Sequence, residues 1–597
     1  MSAVPEREAV PEEHTWDLET IFETDADWQR AYDDVTERVD AFTAYEGQTT
    51  ASAESLLEVL STRDELMRAV EEVAVYARLR HDEDTRDDDH QAMYSRAETL
   101  IAEAGSAASF VEPELQELTE DRFEAFVDAE PELSTYRHHV DDVLRMKPHT
   151  RSAEVEAVLA DLGEVVSAPS GIYSMLANAD LTFPTVTDPD GEDVEITQSN
   201  FVTLLKRRDR AFRERVYEAY FEEWASVRNA VGTAYGKSVT ADVRLAQLRD
   251  YDSAREASLH DANIPVAVYD TLVETVNDNL DALHRHAELK RRALDVDELR
   301  MWDLYMPLVE GEGPEISYEE AREHVIEAVS PLGDDYQAHL AEGLDSRWVD
   351  VYENEGKRAG AYSSGTYDTQ PYILMNYQDD VTSMYTLAHE LGHSLHSDHS
   401  RATQPYVYAS YELFVAEVAS TVNEALLTEH LLETIEDPAF RAHVLNEFAE
   451  RIRSTFFRQT LFAEFEHRVH ERKEAGEPIT TDRLDDLYAE LKGRYYEPAT
   501  LDDHISREWM RIPHFYRAFY VYQYATGISA ALALVEDILE EGDSAAERYR
   551  EFLRLGSREY PLDLLDVAGV DMRAPDPIER AIHRYDDRLD ELESLIG

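Results

Sequence analysis

A mostly α-helical fold, with a small β region beside one chemistry-bearing helix, is what this sequence predicts, and three observations predict it. The helix formers Ala, Leu, Glu and Arg are abundant, while Gly and Pro stand at only 22 and 21 in 597 residues. Apolar residues recur at helical spacing through most of the chain, and the two places where that spacing fails carry strand and turn residues. At this length one compact core gives way to two or more lobes with room for a cleft between them.

The elements follow in order. From about Asp27 to Tyr173 the pattern is helical, as in Leu56, Leu57, Val59 and Leu60 and then Leu66, Val70 and Val73. The acid-rich break from His81 to Asp89 reads as a solvated loop. Leu181 to Thr197 reads as a β-hairpin, since Phe183 and Val186 precede the turn Asp188-Pro189-Asp190-Gly191 and Val194 and Ile196 follow it. A boundary is placed here, giving residues 1–199 as an N-terminal helical lobe ending in the hairpin and residues 200–597 as the catalytic domain. Phe201 to Leu248 reads as a long amphipathic helical stretch. Trp348 to Tyr377 is the second non-helical region, where Gly360-Ala361-Tyr362-Ser363-Ser364-Gly365 leads into Pro371-Tyr372-Ile373-Leu374-Met375 as strands and turns. An exposed strand edge at such a place can pair with the backbone of an extended peptide.

The formal charge is −71, from 127 acidic against 56 basic residues. Self-repulsion at that density calls for screening, so the surface reads as one built for a high-salt cytosol. Lysine usage agrees, being confined to Lys147, Lys206, Lys237, Lys290, Lys357, Lys473 and Lys492. Nucleic acid is not expected as a partner, because phosphate contacts need clustered basic residues. The absence of cysteine removes disulfides, thiol catalysis and thiolate metal sites, leaving His, Asp and Glu as metal ligands. Met1 to Asp17 has no apolar core of a signal peptide, and no stretch reaches the roughly 18 apolar residues of a membrane span. A cytoplasmic chain without a membrane partner is expected; the sequence is silent on its oligomeric state.

In Met384 to His399, the apolar residues Met384, Leu387, Ala388, Leu391 and Leu395 share one helical face, and His389 and His393 lie nearly opposite. At four-residue spacing the two imidazoles stand about 6 Å apart along the axis, which suits two nitrogens on one zinc ion. Glu390 follows the first of them at about 100° around the helix, the place of a general base acting on water. Gly392 costs about 1 kcal/mol relative to alanine inside a helix, so something approaching closely there is expected. The bland alternative is a pair of satisfied surface histidines.

A third ligand is needed. His399 has the spacing of a metzincin ligand, but that class requires glycine at position 396, which is His396. On a straight helix His396 lies about 10 Å from His389, so it is assigned to the surroundings of the metal or to substrate. Phe414 to Leu427 is apolar apart from a stripe of Glu417, Ser420, Thr421 and Glu424, and buried carboxylates need a partner such as a metal. Spacing alone leaves Glu417 and Glu424 as equal candidates.

These residues resemble the M3 family of metallopeptidases, in its oligoendopeptidase F branch. The likeness is carried by Trp16-Asp17-Leu18, Arg255 to Leu259, Trp302 to Tyr305, Gly360-Ala361-Tyr362, His389 to His396, Phe414 to Thr421 and Pro513-His514-Phe515-Tyr516. It implies two helical lobes enclosing a deep channel that admits oligopeptides and shuts out folded proteins. It implies one zinc ion held by His389, His393 and Glu417, with Glu424 orienting a metal histidine. It implies that Gly360 and Ala361 belong to the strand that pairs with substrate, and that His514, Tyr522 and Tyr520 stabilise the oxyanion. Two alternatives are a metallocarboxypeptidase with the same motif and a helical peptide-binding protein without catalysis.

Overall fold

The computed structural model describes residues 4–309, 311 and 313–596. Among them helices dominate, and only five short strands interrupt the helical succession. The described residues fall into two compact units, each assembled from three stretches of chain. The first comprises residues 1–147, 313–433 and 534–570, the second 148–312, 434–533 and 571–597. The 199/200 boundary expected from the hairpin falls inside the second unit.

That hairpin is present. Strands β1 (Thr185–Thr187) and β2 (Asp193–Glu195) pair antiparallel. Their turn forms because the Asp188 carboxylate accepts from the N–H groups of Asp190 and Glu192, and because Gly191 takes a φ of +88°, which disfavours residues with a Cβ. The long stretch after Asn200 is not one helix. It is Phe201–Leu205, Arg210–Ser226 and Arg228–Leu248, with Asp209 capping the second piece by accepting from the Phe212 N–H. Such a cap competes with helix continuation, and apolar periodicity passes over it. The second unit is cored by aromatic side chains, among them Trp224, Tyr235, Phe465, Tyr488 and Trp509, all buried.

In the first unit, Asp25–Phe42, Ala53–Glu83 and Asp88–Ala108 pack around Trp28, Val39, Phe42, Leu56, Leu60 and Tyr76. The acid-rich break is narrower than His81 to Asp89: helix continues to Glu83 and resumes at Asp88, where Asp87 caps it. Tyr372 and Leu374 join this core from a three-stranded sheet. Its order is β3 (Val349–Asp350), β5 (Tyr372–Leu374), β4 (Tyr362–Ser364), with β3 parallel and β4 antiparallel to β5. Asp350, fully buried, is matched by Lys357 Nζ at 2.6 Å and Arg7 Nη1 at 2.9 Å, which compensates an otherwise prohibitive buried charge. Because β4 is the outer strand, one side of it faces the helix that follows.

That helix, Val381–Thr403, is the motif helix. Asp380 caps it by accepting from the Ser383 N–H, and Met384, Leu387, Ala388, Leu391 and Leu395 are its buried face. The next helix, Leu413–Thr434, is buried almost all round, so its few polar residues must find partners inside the protein. Among the described residues no helix is long and apolar enough to cross a membrane.

Candidate metal centre

The motif helix and the Leu413–Thr434 helix approach each other at one glycine. A Cβ on Gly392 would lie 2.6 Å from Ser420 Cα and 2.7 Å from the Ala419 carbonyl oxygen, so only a residue without a side chain lets the backbones come this close. Asn423 Nδ2 donates to the Ala388 carbonyl at 3.3 Å beside that crossing. The polar stripe of the second helix therefore faces the motif helix, and it delivers Glu417 to the two histidines.

His389 Nε2 and His393 Nε2 stand 3.2 Å apart, and Glu417 Oε2 lies 3.6 Å from the first and 3.8 Å from the second. Among the described residues this is the group of His, Asp and Glu ligand atoms that fits an ion. Tetrahedral zinc bonds of about 2.0 to 2.1 Å place ligand atoms roughly 3.3 Å from one another, close to the observed triangle. The surroundings of the two rings point the same way. Glu424 Oε1 lies 2.7 Å from His389 Nδ1 and so orients the ring with Nε2 toward Glu417. His393, whose ring hydrogen-bonds the Ala416 carbonyl, has its pKa pushed down to about 3 by burial and by His389, so it is neutral at physiological pH. Two imidazole nitrogens and a carboxylate converging within 4 Å are what a divalent cation accepts and what an empty protein interior does not favour.

Glu390 points to the other side of the motif helix. It is 7 % exposed; burial, opposed by His389 and reinforced by Glu417, raises its pKa above the ordinary carboxylate value. The N–H of Ser363 on β4 donates to it, and the Ser363 and Ser394 hydroxyls lie 2.8 Å apart, fastening the strand to the motif helix. Sequence reasoning missed Ser363, and a backbone donor leaves no trace in a motif. Gly360, with φ +93°, and Ala361 lead into β4; the Gly360 carbonyl accepts from Asn376 Nδ2 at 2.8 Å.

The remaining expected residues are placed as follows. His396 is 1 % exposed and stacks on Tyr411 at 3.7 Å between ring centroids, outside the three-residue group. His399 is also outside it, its ring 5.7 Å from that of Tyr336. In the second unit, His514 lies 6.0 Å from Tyr520 and 6.1 Å from Tyr524 between ring centroids, and the Tyr524 hydroxyl donates to that of Tyr520 at 3.2 Å. Tyr522 is 3 % exposed and packs 5.1 Å from Tyr269 between ring centroids. The phase changes at Phe519, whose φ of +55° bends the chain, its N–H held by the buried Glu466 at 2.9 Å.

The model described as peptidase family M3 matches residues 203–584, and one described as oligopeptidase F matches residues 114–183. The chain is 43 % identical to oligopeptidase PepF of Bacillus subtilis, covering 99 % of this chain and 89 % of that one. It is 37 % identical to the plasmid oligoendopeptidase F of Lactococcus lactis subsp. cremoris, over 99 % and 98 % of the two chains. Among solved structures, oligoendopeptidase-F of Enterococcus faecium superposes with a TM-score of 0.74 at 37 % identity, over 96 % and 99 % of the chains.

Proposed function

Because the chain belongs to peptidase family M3 and is a metalloendopeptidase-class hydrolase, we propose that it hydrolyses internal bonds of short oligopeptides with one zinc ion on His389, His393 and Glu417 and with Glu390 as the proton carrier. The observation that carries this reading is the triangle of three ligand atoms with a buried carboxylate on the adjoining position of the same helix. When bound, zinc supplies Lewis acidity, making water acidic enough to lose a proton near neutral pH and polarising a carbonyl.

The chain's own groups do the rest. Glu390 accepts the proton of the attacking water and returns it to the leaving amine, and its raised pKa brings it closer to a value that can do both. The Ser363 N–H holds that carboxylate in place. Glu424 keeps His389 in the tautomer and orientation its role needs. The free side of β4, entered through Gly360 and Ala361, receives the peptide backbone as an added strand. The resemblance assigns oxyanion stabilisation to His514, Tyr520 and Tyr522; burial of Tyr522 supports giving its share to Tyr524, which sits with the other two. His396, buried against Tyr411, serves to pack the motif helix. The acid excess with little lysine supports an enzyme at work in a salt-rich cytoplasm.

The test is hydrolysis of an internally quenched, C-terminally amidated nonapeptide in molar KCl. Cleavage lost to a chelator and restored by zinc is expected, and Glu390→Gln should cut kcat by about 10²- to 10⁴-fold with the metal content unchanged. A requirement for a free C-terminus would move the assignment to a carboxypeptidase. Undiminished turnover by Glu390→Gln would remove the proposed proton carrier.

A further inference from the structure

The first unit also holds a recess of about 910 Å³ whose wall runs from the Ala53–Glu83 helix to the far half of the motif helix. Ile101, half exposed, lines it, so the recess is open to solvent on that side. Its charged groups are engaged with one another or with neighbours, but among the described residues two guanidinium nitrogens of the recess, Arg78 Nε and Arg401 Nη1, are buried without a hydrogen-bond partner. Arg63 pairs with Asp64 at 2.9 Å, Arg78 donates to Ser364, and Glu71 accepts from the Tyr406 hydroxyl at 2.6 Å. Arg401 donates Nη2 to the Gly365 carbonyl at 2.9 Å, while its buried Nη1 has no hydrogen-bond partner among the described residues. The ion pairs that hold Arg63, Arg68 and Arg86 in the same unit have no counterpart there.

This guanidinium is built in. Gly365 has a φ of +137°, and a Cβ on it would lie 2.8 Å from Arg401 Nη1 and 2.9 Å from the Gln370 carbonyl oxygen, so the glycine makes the room that the guanidinium fills. Burial, offset only in part by Tyr411, Asp398 and Glu71, holds the Arg401 pKa below the ordinary value, the sign of a guanidinium that folding has desolvated. The recess is linked to the metal-centre helix through one side chain. Tyr411 and Ser397 both line it; their hydroxyls lie 2.8 Å apart, and the Tyr411 hydroxyl donates to the His393 carbonyl at 3.4 Å.

We propose that this recess is a specificity subsite for a carboxylate of the bound peptide, and that Arg401 is the residue that receives it. The proposal rests on the reading that β4 takes the substrate backbone. On that strand's course the Ser363 N–H holds Glu390 and, two residues on, the Gly365 carbonyl holds Arg401. Arg401 follows His393 by eight residues, about 12 Å of helix, which an extended peptide covers in roughly three to four residues. The favoured ligand is an aspartyl or glutamyl side chain that far from the cleaved bond, or a terminal carboxylate at the same distance. A planar fork suits either one.

The experiment walks a glutamate through each position of a nonapeptide, with a glutamine twin at every step, in C-terminally free and amidated series. The wild type should prefer glutamate about tenfold in kcat/KM at one position, and Arg401→Met should bring that ratio to about one. A preference that follows the free terminus and disappears on amidation assigns the subsite to the terminal carboxylate and supports the proposal. If Arg401→Met does not fold, Arg401→Lys, which keeps the charge without the fork, should leave a preference of about threefold. Calorimetric binding of the twins to the zinc-loaded Glu390→Gln chain makes the same comparison without turnover, so failure of cleavage is separable from failure of the subsite. Equal affinity for every pair of twins, or a preference that Arg401→Met retains, overturns the proposal.

Discussion

Gly392→Ala is the sharpest test of the metal centre, because it adds one methyl group where two ligand-bearing helices touch. The new Cβ would stand 2.6 Å from Ser420 Cα, 2.7 Å from the Ala419 carbonyl oxygen and 2.9 Å from the Ser420 nitrogen. All three are backbone atoms of a buried helix, so no side chain can swing aside. Ordinary contact is about 3.5 Å, so the helices must separate locally by roughly 1 Å. Overpacking of this kind costs about 1 to 3 kcal/mol, against which alanine recovers at most about 1 kcal/mol of helix propensity. The larger effect falls on the metal. Glu417 lies three residues from Ser420 on the displaced helix, and its 3.6 and 3.8 Å distances to the histidines would open with it. Metal ligands tolerate about 0.2 Å, so zinc affinity should fall at least as far as on loss of an outer partner, about 10- to 100-fold. Competition with a chromogenic chelator measures the affinity, and thermal unfolding of the zinc-free protein measures the packing cost. Gly171→Ala is the control, because that glycine has nothing within 4 Å of its built Cβ. Wild-type zinc affinity in a folded Gly392→Ala chain would refute the idea that this crossing sets the ligand triangle.

Two other expectations follow from the same geometry. Glu424→Gln replaces the carboxylate that lies 2.7 Å from His389 Nδ1, and zinc affinity measured by the same competition should drop about tenfold or more; no change would mean that the contact does not orient the ligand. Glu466, fully buried, has its pKa pushed up to about 8 by burial, which outweighs His470 and the Phe519 N–H. A raised carboxyl pKa contributes stability in full below about pH 4.5 and loses it as pH climbs to about 8, so wild type should lose as much as about 5 kcal/mol over that window relative to Glu466→Gln. Parallel melting-temperature profiles of the two proteins from pH 5 to 9 would contradict this.

Legibility tracked covalent spacing. His389, Glu390 and His393 share one helix, so four-residue periodicity was enough to bring the two imidazoles together and to turn the carboxylate aside. Gly392 was readable as a close approach because glycine inside an apolar helix needs a reason, and the reason is the backbone of Ser420. The stripe at Glu417, Ser420 and Glu424 marked the facing helix for the same cause. What periodicity could not supply was the register between the two helices. Glu417 and Glu424 are two turns apart on one face, and only the level of the crossing decides that the first reaches both Nε2 atoms while the second reaches Nδ1 behind them. Left-handed backbone at Phe519 resets the helical phase after His514, so spacing alone does not say which phenol stands beside that ring; Tyr520 and Tyr524 do, while Tyr522 packs on Tyr269.

Charge explains why the centre is composed as it is. Glu390, Glu417 and Glu424 converge on two imidazoles in a chain that already carries a formal −71. Each carboxylate is handled locally and differently. Glu424 meets an imidazole nitrogen, Glu390 the Ser363 N–H, and Glu417, which accepts from the Ser420 hydroxyl at 3.2 Å, faces the Nε2 atoms of the two histidines. Of the three, Glu417 is therefore the one whose charge calls for a cation, and Glu390 the one that stays available to a proton. Exchanging them would fail on geometry, since Glu390 lies on the strand side of its helix and Glu417 on the histidine side. A divalent ion of the kind the family implies would complete the set by pairing with that carboxylate and the two imidazoles.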